Sequence, residues 1–357
     1  MSVVNFLVAL IAMYLLWVLT VKRALRDLTC QRSFSCKTAY EGEEAELVEV
    51  VRNDGPFIIP WLRVESYISP NLQLGRQENL HVSSDTFYRS CFTLMPYQQI
   101  RRRHRVKFLH RGVYNLGNAT LSAGDILGLT RHWKEQQLQT PVTVYPQILE
   151  REDLPYPMVQ VMGEVESRNR MMQDPFLVKN IRPYRFGDRI RDIHWQATAR
   201  TDEVQVRVHD DTICPKLLVV LNAQRTDEQW DDYVRKDDVE QVEKEIRYAA
   251  TICVRSLLSG LSVGFAANMP QERNGQSTLL LPDSGEVSQE DILEIFARLQ
   301  VHCSEKFIPF LESLDHCRDL DIMILSPYDS DGIQQAIGKL RACGNRVTFC
   351  STKGGDL

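Results

Sequence analysis

The chain has 357 residues, a hydrophobic fraction of 43%, a charged fraction of 25% and a formal net charge of −5. This length exceeds what one hydrophobic core usually serves, so we expect two or three domains, and the composition excludes a disordered or collagen-like chain. The slightly acidic balance gives no general attraction for nucleic acid, and we expect no nucleic-acid partner.

The first predicted element is an apolar helix at the N-terminus. Residues 3–21 carry no charged side chain, and a helix of that length spans about 28 Å, enough to cross a bilayer. Lys22, Arg23 and Arg26 follow it, and the positive-inside rule keeps that end in the cytoplasm. We therefore expect a single-pass transmembrane anchor at residues 1–26, with the rest of the chain cytoplasmic. A buried core helix and a cleaved signal peptide are the alternatives.

Residues 30–150 are predicted to form an all-β, sandwich-like domain. Short stretches of alternating polar and apolar residues, such as residues 45–53 and 61–68, are separated by turn signals such as Asn53-Asp54-Gly55-Pro56. Strands of this kind bury one face, and no catalytic groups cluster among them. We expect this domain to serve contact or spacing.

A basic run within this domain, Arg101-Arg102-Arg103-His104-Arg105, has two interpretations. It leads into a strand, where long cationic side chains on an exposed or edge strand discourage aberrant pairing. The alternative is binding of anionic lipid head groups, to which such clusters are attracted.

Residues 174–208 concentrate the unusual residue types of the chain. We predict a strand from Phe176 to Tyr184, a helix over about 189–200 with Asp188 as its N-cap, and a strand from Glu203 to Val208. On this helix Arg191 lies one turn from Trp195, so its guanidinium can cover the indole.

Three roles are open for this segment. His194 with Asp188 or Asp192 suggests the general base or metal ligand of a hydrolase. A salt-bridged network that only maintains the fold is the second possibility. The third is a basic surface offered to an acidic partner, made of Arg182, Arg185, Arg189 and Arg191.

The segment resembles the bacterial family called Domain of Unknown Function 58. The family pattern is carried here by Arg182, Tyr184, Gly187, Asp188, Arg191, Ile193, His194, Trp195, Ala199 and Arg200. Upstream, residues 111–114 and 124–129 also resemble family elements, so the resemblance spans roughly residues 30 to 225. It implies an inner (plasma) membrane protein without enzymatic activity. The residues that it marks as partner-binding or structural are Arg182, Tyr184, Gly187, Asp188, Arg191, His194, Trp195 and Arg200.

Residues 216–357 are predicted to form an α/β domain with a mostly parallel sheet. Apolar strands alternate there with helices over about Val239–Ser259, Gln289–Leu299 and Gly332–Cys343. The family resemblance implies a von Willebrand factor type A-like domain. It leaves residues 151–215 as a separate signature segment.

A type A domain usually holds Mg²⁺ through an Asp-x-Ser-x-Ser loop after its first strand. Here that loop reads Asn222-Ala223-Gln224-Arg225-Thr226. The site is degenerate at Asn222, Gln224 and Thr226, because the anionic ligand is missing, and Arg225 adds a positive charge. We predict no metal and no cofactor.

Nine cysteines are scattered without CxxC pairs and are predicted to be reduced, mostly structural thiols of a reducing compartment. The chain also has no phosphate-binding loop, dinucleotide fingerprint, nucleophile elbow or HExxH motif. We therefore predict a membrane-anchored adaptor or scaffold, with no small-molecule substrate. By family association its protein partner would be a MoxR-type AAA+ ATPase, in the assembly or maturation of other proteins. The alternatives are an anionic-lipid-binding protein and a hydrolase centred on His194.

Overall fold

The computed structural model describes most of the chain. The described residues are 5–9, 11, 13–14, 23, 25–75, 80–82, 87–124, 131–138, 140–172, 178–185, 193–201, 203–209, 216–229, 234–271, 275–282 and 288–353. They fall into two units, residues 1–147 and residues 148–357.

The predicted N-terminal transmembrane helix is not supported and is corrected here. A crossing needs a continuous apolar helix of about 20 residues, and no helix of the described residues is long and apolar enough. Within residues 1–26, the described residues are 5–9, 11, 13, 14, 23, 25 and 26, all of them helical, and the others lie outside the described residues. The described residues of unit 1 are instead rich in β-strands.

Unit 1 is built from short and medium-length strands. In chain order they are β1 (Leu28–Phe34), β2 (Thr38–Tyr40), β3 (Glu44–Asn53), β4 (Ile59–Tyr67), β5 (Leu72–Leu74), β6 (Leu80–Val82), β7 (Phe87–Leu94), β8 (Gln99–Phe108), β9 (Gly112–Tyr114), β10 (Asn118–Gly124), β11 (Arg131–Gln137) and β12 (Val142–Tyr145). They form one sheet in the order β1-β3-β8-β5 and a second in the order β11-β10-β4-β7-β6. A small third sheet has the order β2-β12-β9.

One hydrophobic core joins the two larger sheets of unit 1. Leu47 and Phe108 enter it from the first sheet, and Leu62 and Leu121 enter it from the second. Alternation along the strands produces this arrangement, because every second side chain of a strand points to the same face. β1 shows the pattern without interruption, with alternate side chains buried and exposed along its whole length.

Unit 2 combines helices and strands. Its helices are α1 (Tyr156–Met172), α2 (Trp195–Thr201), α3 (Lys236–Leu258), α4 (Gln289–Arg298), α5 (Phe307–Glu312) and α6 (Asp331–Ala342). Its strands are β13 (Val178–Pro183), β14 (Gln205–His209), β15 (Lys216–Leu221), β16 (Ser262–Pro270), β17 (Ser277–Leu280), β18 (Asp321–Ser326) and β19 (Arg346–Ser351). Two single turns of 3-10 helix lie at Arg151–Asp153 and Ser313–His316.

The main sheet of unit 2 has the strand order β17-β16-β15-β18-β19. β15 pairs in parallel with both β16 and β18, and β18 pairs in parallel with β19. Only β17 among these strands is antiparallel to its neighbour. The mostly parallel sheet predicted from the alternation of strands and helices is therefore present.

Helices cover both faces of this sheet. Alternate residues of the central strand β15 enter two different cores: Val219 packs in the core that includes residues of α1, α3 and α4. Val220 packs in the core that includes residues of α5 and α6. A central parallel strand buried on both faces is continuously apolar for this reason. At Gly264 in β16 a Cβ atom would lie 2.5 Å from the carbonyl oxygen of Leu280, so the two strands approach closely there.

Candidate functional site

The signature segment forms a small antiparallel hairpin. β13 pairs with β14, with Arg182 opposite Val206, and the short helix α2 lies between the two strands in sequence. The backbone N–H of Tyr184 donates to the carbonyl of Val204 at 2.8 Å. The N–H of His194 donates to the carbonyl of Gln205 at 2.8 Å. We call residues 178–185 and 193–209 the signature hairpin.

His194 holds the first turn of α2. Its Nδ1 accepts a hydrogen bond from the backbone N–H of Ala197 at 3.0 Å, and its carbonyl accepts one from the N–H of Thr198 at 3.0 Å. The hydroxyl of Thr198 in turn accepts from the N–H of Gln205 at 3.0 Å, which ties the helix to β14. The imidazole therefore acts as a helix cap, the role more often filled by Ser, Thr, Asp or Asn.

The capped hairpin presents large apolar side chains to solvent. The indole of Trp195 is 68% exposed, and Tyr184, Val204 and Ile181 are each about two-fifths exposed. Arg200 is also exposed, while Arg182 is half-buried and donates from Nη1 to the carbonyl of the next residue at 3.1 Å. The surface combines aromatic, aliphatic and cationic groups.

Several predicted site residues lie outside the described residues. Gly187, Asp188 and Arg191 are among them, as are Arg189 and Asp192. The proposed stacking of Arg191 on the indole and the grouping of the two aspartates with the histidine stay predictions for this reason.

The described part of the segment also revises one boundary. The helix was predicted to start near residue 189, but residues 193 and 194 precede it as a β-bridge and a cap, and α2 begins at Trp195. The physical reason is that the His194 side chain takes up the N–H of Ala197, which fixes the helix start there.

The degenerate loop follows β15, and residues 222–224 of it are buried whereas Thr226 is exposed. Asn222 is fully buried and Gln224 nearly so. The positive charge that Arg225 adds is paired, because its guanidinium donates from Nη1 at 2.9 Å and from Nη2 at 2.5 Å to the buried carboxylate of Glu245. Among the residues that the structure describes, no group of three or more His, Cys, Asp or Glu side chains is placed to hold a metal.

The basic run lies on β8 and is divided between its two faces. Arg101, Arg103 and Arg105 are exposed, whereas His104 between them is buried. Arg103 lies 3.6 Å from the carboxylate of Glu46 on the neighbouring strand. The solvent-facing arginines fit the interpretation of an exposed strand face.

His104 belongs to a buried polar cluster that the sequence did not reveal. Arg32 donates to Glu49 from Nε at 2.8 Å and from Nη2 at 2.6 Å, and both side chains are fully buried. The Tyr88 hydroxyl lies 2.9 Å from Nε2 of His104, and Arg32 also contacts the hydroxyl of Ser66. Residues from both large sheets of unit 1 thus meet in one network.

The electrostatics of this cluster favour a charged Glu49. Burial raises the pKa of the Glu49 carboxyl, but His104 and the Arg32 guanidinium lower it by more, and the pKa lies below its ordinary value. Burial raises the pKa of the Tyr88 hydroxyl, so the phenol stays neutral. The nearby Cys30 thiol has its pKa raised by burial to about 12, which makes it unreactive.

Comparison with known proteins bears on the signature segment. Residues 180–264 match the family model described as a protein of unknown function, DUF58. This match supports the family resemblance drawn from the signature residues. No curated protein matches the chain.

Several solved structures are similar to about a third of the chain. A CARDB domain from Pyrococcus furiosus, in complex with di-metal ions, is 18% identical and covers 34% of this chain and 94% of its own, with a TM-score of 0.23. A non-cellulosomal cohesin from Archaeoglobus fulgidus is 10% identical over 35% of this chain and 94% of its own, with a TM-score of 0.23. A type I cohesin from Pseudobacteroides cellulosolvens is 12% identical over 33% of this chain and 93% of its own, with a TM-score of 0.22.

Proposed function

We propose that the chain is a protein-binding adaptor that contacts its partner through the signature hairpin. The observation that carries the proposal is the exposure of Trp195, whose indole is 68% accessible on a short capped helix. Tryptophan, tyrosine and arginine are the residues that most often dominate binding energy at protein interfaces.

A rigid support makes such a side chain useful for binding. Trp195 is the first residue of α2, the His194 cap precedes it, and Thr198 ties the helix to β14. A backbone held in place before binding loses less conformational entropy when the partner arrives. Exposure of a large aromatic in this setting favours a recognition role over a purely structural one.

The chemistry of the surface suggests the kind of partner. Within the hairpin, Ile181, Tyr184 and Val204 expose apolar groups, and Arg185 and Arg200 are exposed as well. An apolar pocket with an acidic rim would match this combination. The family resemblance suggests a MoxR-type AAA+ ATPase as the protein that presents it, in assembly or maturation of other proteins.

We further propose that residues 216–357 form a von Willebrand factor type A-like domain. The mostly parallel order β17-β16-β15-β18-β19, with helices on both faces, supports this assignment. The adaptor would then combine a β-rich unit, a recognition hairpin and an α/β domain in one chain.

The test is affinity purification of the full chain from its native source, with and without ATP, followed by mass spectrometry. We expect nucleotide-dependent recovery of an AAA+ ATPase. Trp195→Ala should lower recovery of that partner by about 30-fold, which corresponds to an interface hot spot of about 2 kcal/mol.

Trp133→Ala is the matched control. Trp133 is 67% exposed but lies on β11 in unit 1, away from the signature sequence. It should leave recovery unchanged. Equal recovery by the Trp195 and Trp133 variants, or recovery of no AAA+ ATPase, would count against the proposal.

A further inference from the structure

A cluster of uncharged side chains fills the sheet edge where β15, β16 and β18 end. Asn222 follows β15, Asn268 lies near the end of β16, and Ser326 is the last residue of β18. All three are completely buried. This is the edge at which a type A-like domain, as proposed above, would hold its cation.

The amide oxygen atoms of Asn222 and Asn268 already accept hydrogen bonds from the protein. Oδ1 of Asn222 accepts from the backbone N–H of Gln224 at 2.9 Å and from Nδ2 of Asn268 at 3.3 Å. Oδ1 of Asn268 accepts from the N–H of Ala223 at 2.8 Å. Nδ2 of Asn222 donates to the hydroxyl of Ser326 at 3.0 Å. One cluster therefore joins the ends of three strands.

The same network reaches the start of α5. Oε1 of Gln224 accepts from the N–H of Phe307 at 3.0 Å, and its Nε2 donates to the carbonyl of Thr226 at 2.8 Å. Nδ2 of Asn268 also donates to the carbonyl of Glu305 at 3.3 Å. The loop after β15 is held to the helix by Gln224, which stands in the loop where a type A domain usually has its metal ligands.

The carboxylate of Glu245, which contacts this loop, already has hydrogen-bond partners. Glu245 on α3 pairs with Arg225, and its Oε1 accepts from the hydroxyl of Thr352 at 2.6 Å. Burial raises the pKa of the Glu245 carboxyl despite Arg225 and Thr352. Hard cations are held by several oxygen ligands, usually with carboxylates among them. Among the described residues, no three or more His, Cys, Asp or Glu side chains are grouped so that they could hold a metal ion.

We infer that the buried amides take the place of a divalent cation at this edge, joining the strand ends directly, so that the stability of the domain does not depend on a cation. The inference rests on the proposed type A likeness. Unfolding is measured rather than partner capture, so failure of the adaptor proposal would leave this result unaffected.

The experiment compares thermal unfolding of the full chain in a chelator and in millimolar Mg²⁺ or Mn²⁺. We expect the wild-type melting temperature to be the same in all three. Asn222→Ala should lower it by about 3–8 °C, equally with and without cation, because buried partners lose their hydrogen bonds.

Asn345→Ala provides the matched control. Asn345 is a buried amide too, bonded to Leu320, Cys317 and Leu340 at 2.8–3.1 Å, but it precedes β19 at the opposite end of the strands. It should destabilise the chain without any response to cations.

One result would overturn the inference. If Mg²⁺ or Mn²⁺ raises the melting temperature of wild type and of the Asn345 variant but not of the Asn222 variant, the edge binds a cation. Should the Asn222 variant fail to fold, titration of wild type with Mn²⁺ monitored by electron paramagnetic resonance decides the question. A bound Mn²⁺ whose signal is displaced by Mg²⁺ would refute the inference, and no bound Mn²⁺ would support it.

Discussion

Removal of Arg32 should expose how much unit 1 depends on its buried ion pair. The pair with Glu49 has no solvent exposure on either side chain, and the guanidinium also lies 4.4 Å from the centre of the Tyr88 ring. Arg32→Met keeps much of the volume but leaves the carboxylate buried without its counter-ion. Breaking a buried pair in this way costs about 3–5 kcal/mol of unfolding free energy.

The double variant separates the charge from the packing. Arg32→Met combined with Glu49→Leu removes both charges, so the uncompensated carboxylate is gone and the loss should be much smaller than in Arg32→Met alone. The surface pair of Arg52 and Asp54 supplies a matched control, since these side chains are 58% and 42% exposed. Arg52→Met should cost less than about 1 kcal/mol.

Urea unfolding followed by circular dichroism gives the free energies, and hydrogen exchange on peptides of unit 1 assigns the loss to that unit. A two-unit chain can unfold in more than one step, so the assignment matters. An Arg32→Met variant as stable as Arg52→Met would refute the reasoning. So would a double variant that is as unstable as the sum of its two single variants, because the two changes would then be independent.

Three further outcomes follow from the structure. Gly264→Ala should destabilise the chain by about 1–3 kcal/mol in urea unfolding, because the added Cβ would meet the Leu280 carbonyl. Gly338→Ala, in open space on α6, should instead stabilise the chain by about 1 kcal/mol. Equal effects of the two variants would contradict the close approach at Gly264. His194→Ala should speed hydrogen exchange in the first turn of α2, at a local cost of about 1 kcal/mol, while His194→Asn keeps a cap and stays near wild type. Because the pKa of Glu49 is lowered in the folded state, the stability it contributes is present above the ordinary value of 4.5 and is lost as pH falls further; the double variant described above should therefore show a flatter acid unfolding curve than wild type.

Regular elements were predictable where the pattern of apolar residues is strong. The helix predicted over Val239–Ser259 appears as Lys236–Leu258, and the helix predicted over Gln289–Leu299 appears as Gln289–Arg298. The first is long and amphipathic, and the second begins with a Ser288 capping box. Local sequence carries both signals, so tertiary structure was not needed to find them.

Other elements depend on contacts between distant residues. α1 was missed because its apolar residues are spread around the helix and not gathered clearly on one face, and Met158 and Met162 become recognisable as core residues only when they pack with the sheet. α5 has six residues and follows a loop, too short to show a helical period.

The candidate site was predictable in its location but not in its geometry. The signature drew attention to His194 and Trp195, yet the cap on Ala197 and the exposure of the indole follow only from the folded hairpin. Arg32 and Glu49 are adjacent because the register of β1 and β3 places them opposite each other. Their spacing in the sequence does not predict this contact.

The basic strand β8 limits the kinds of sequence change that this chain can tolerate. Its exposed arginines alternate with residues that point into the core, among them His104, Val106 and Phe108. Replacement of Arg101, Arg103 or Arg105 by another polar residue changes only the solvent face. Insertion or deletion of a single residue in the run would instead turn the cationic side chains into the core and the apolar ones into water. Substitutions on the solvent face of this strand should therefore be tolerated, whereas changes in its length should not.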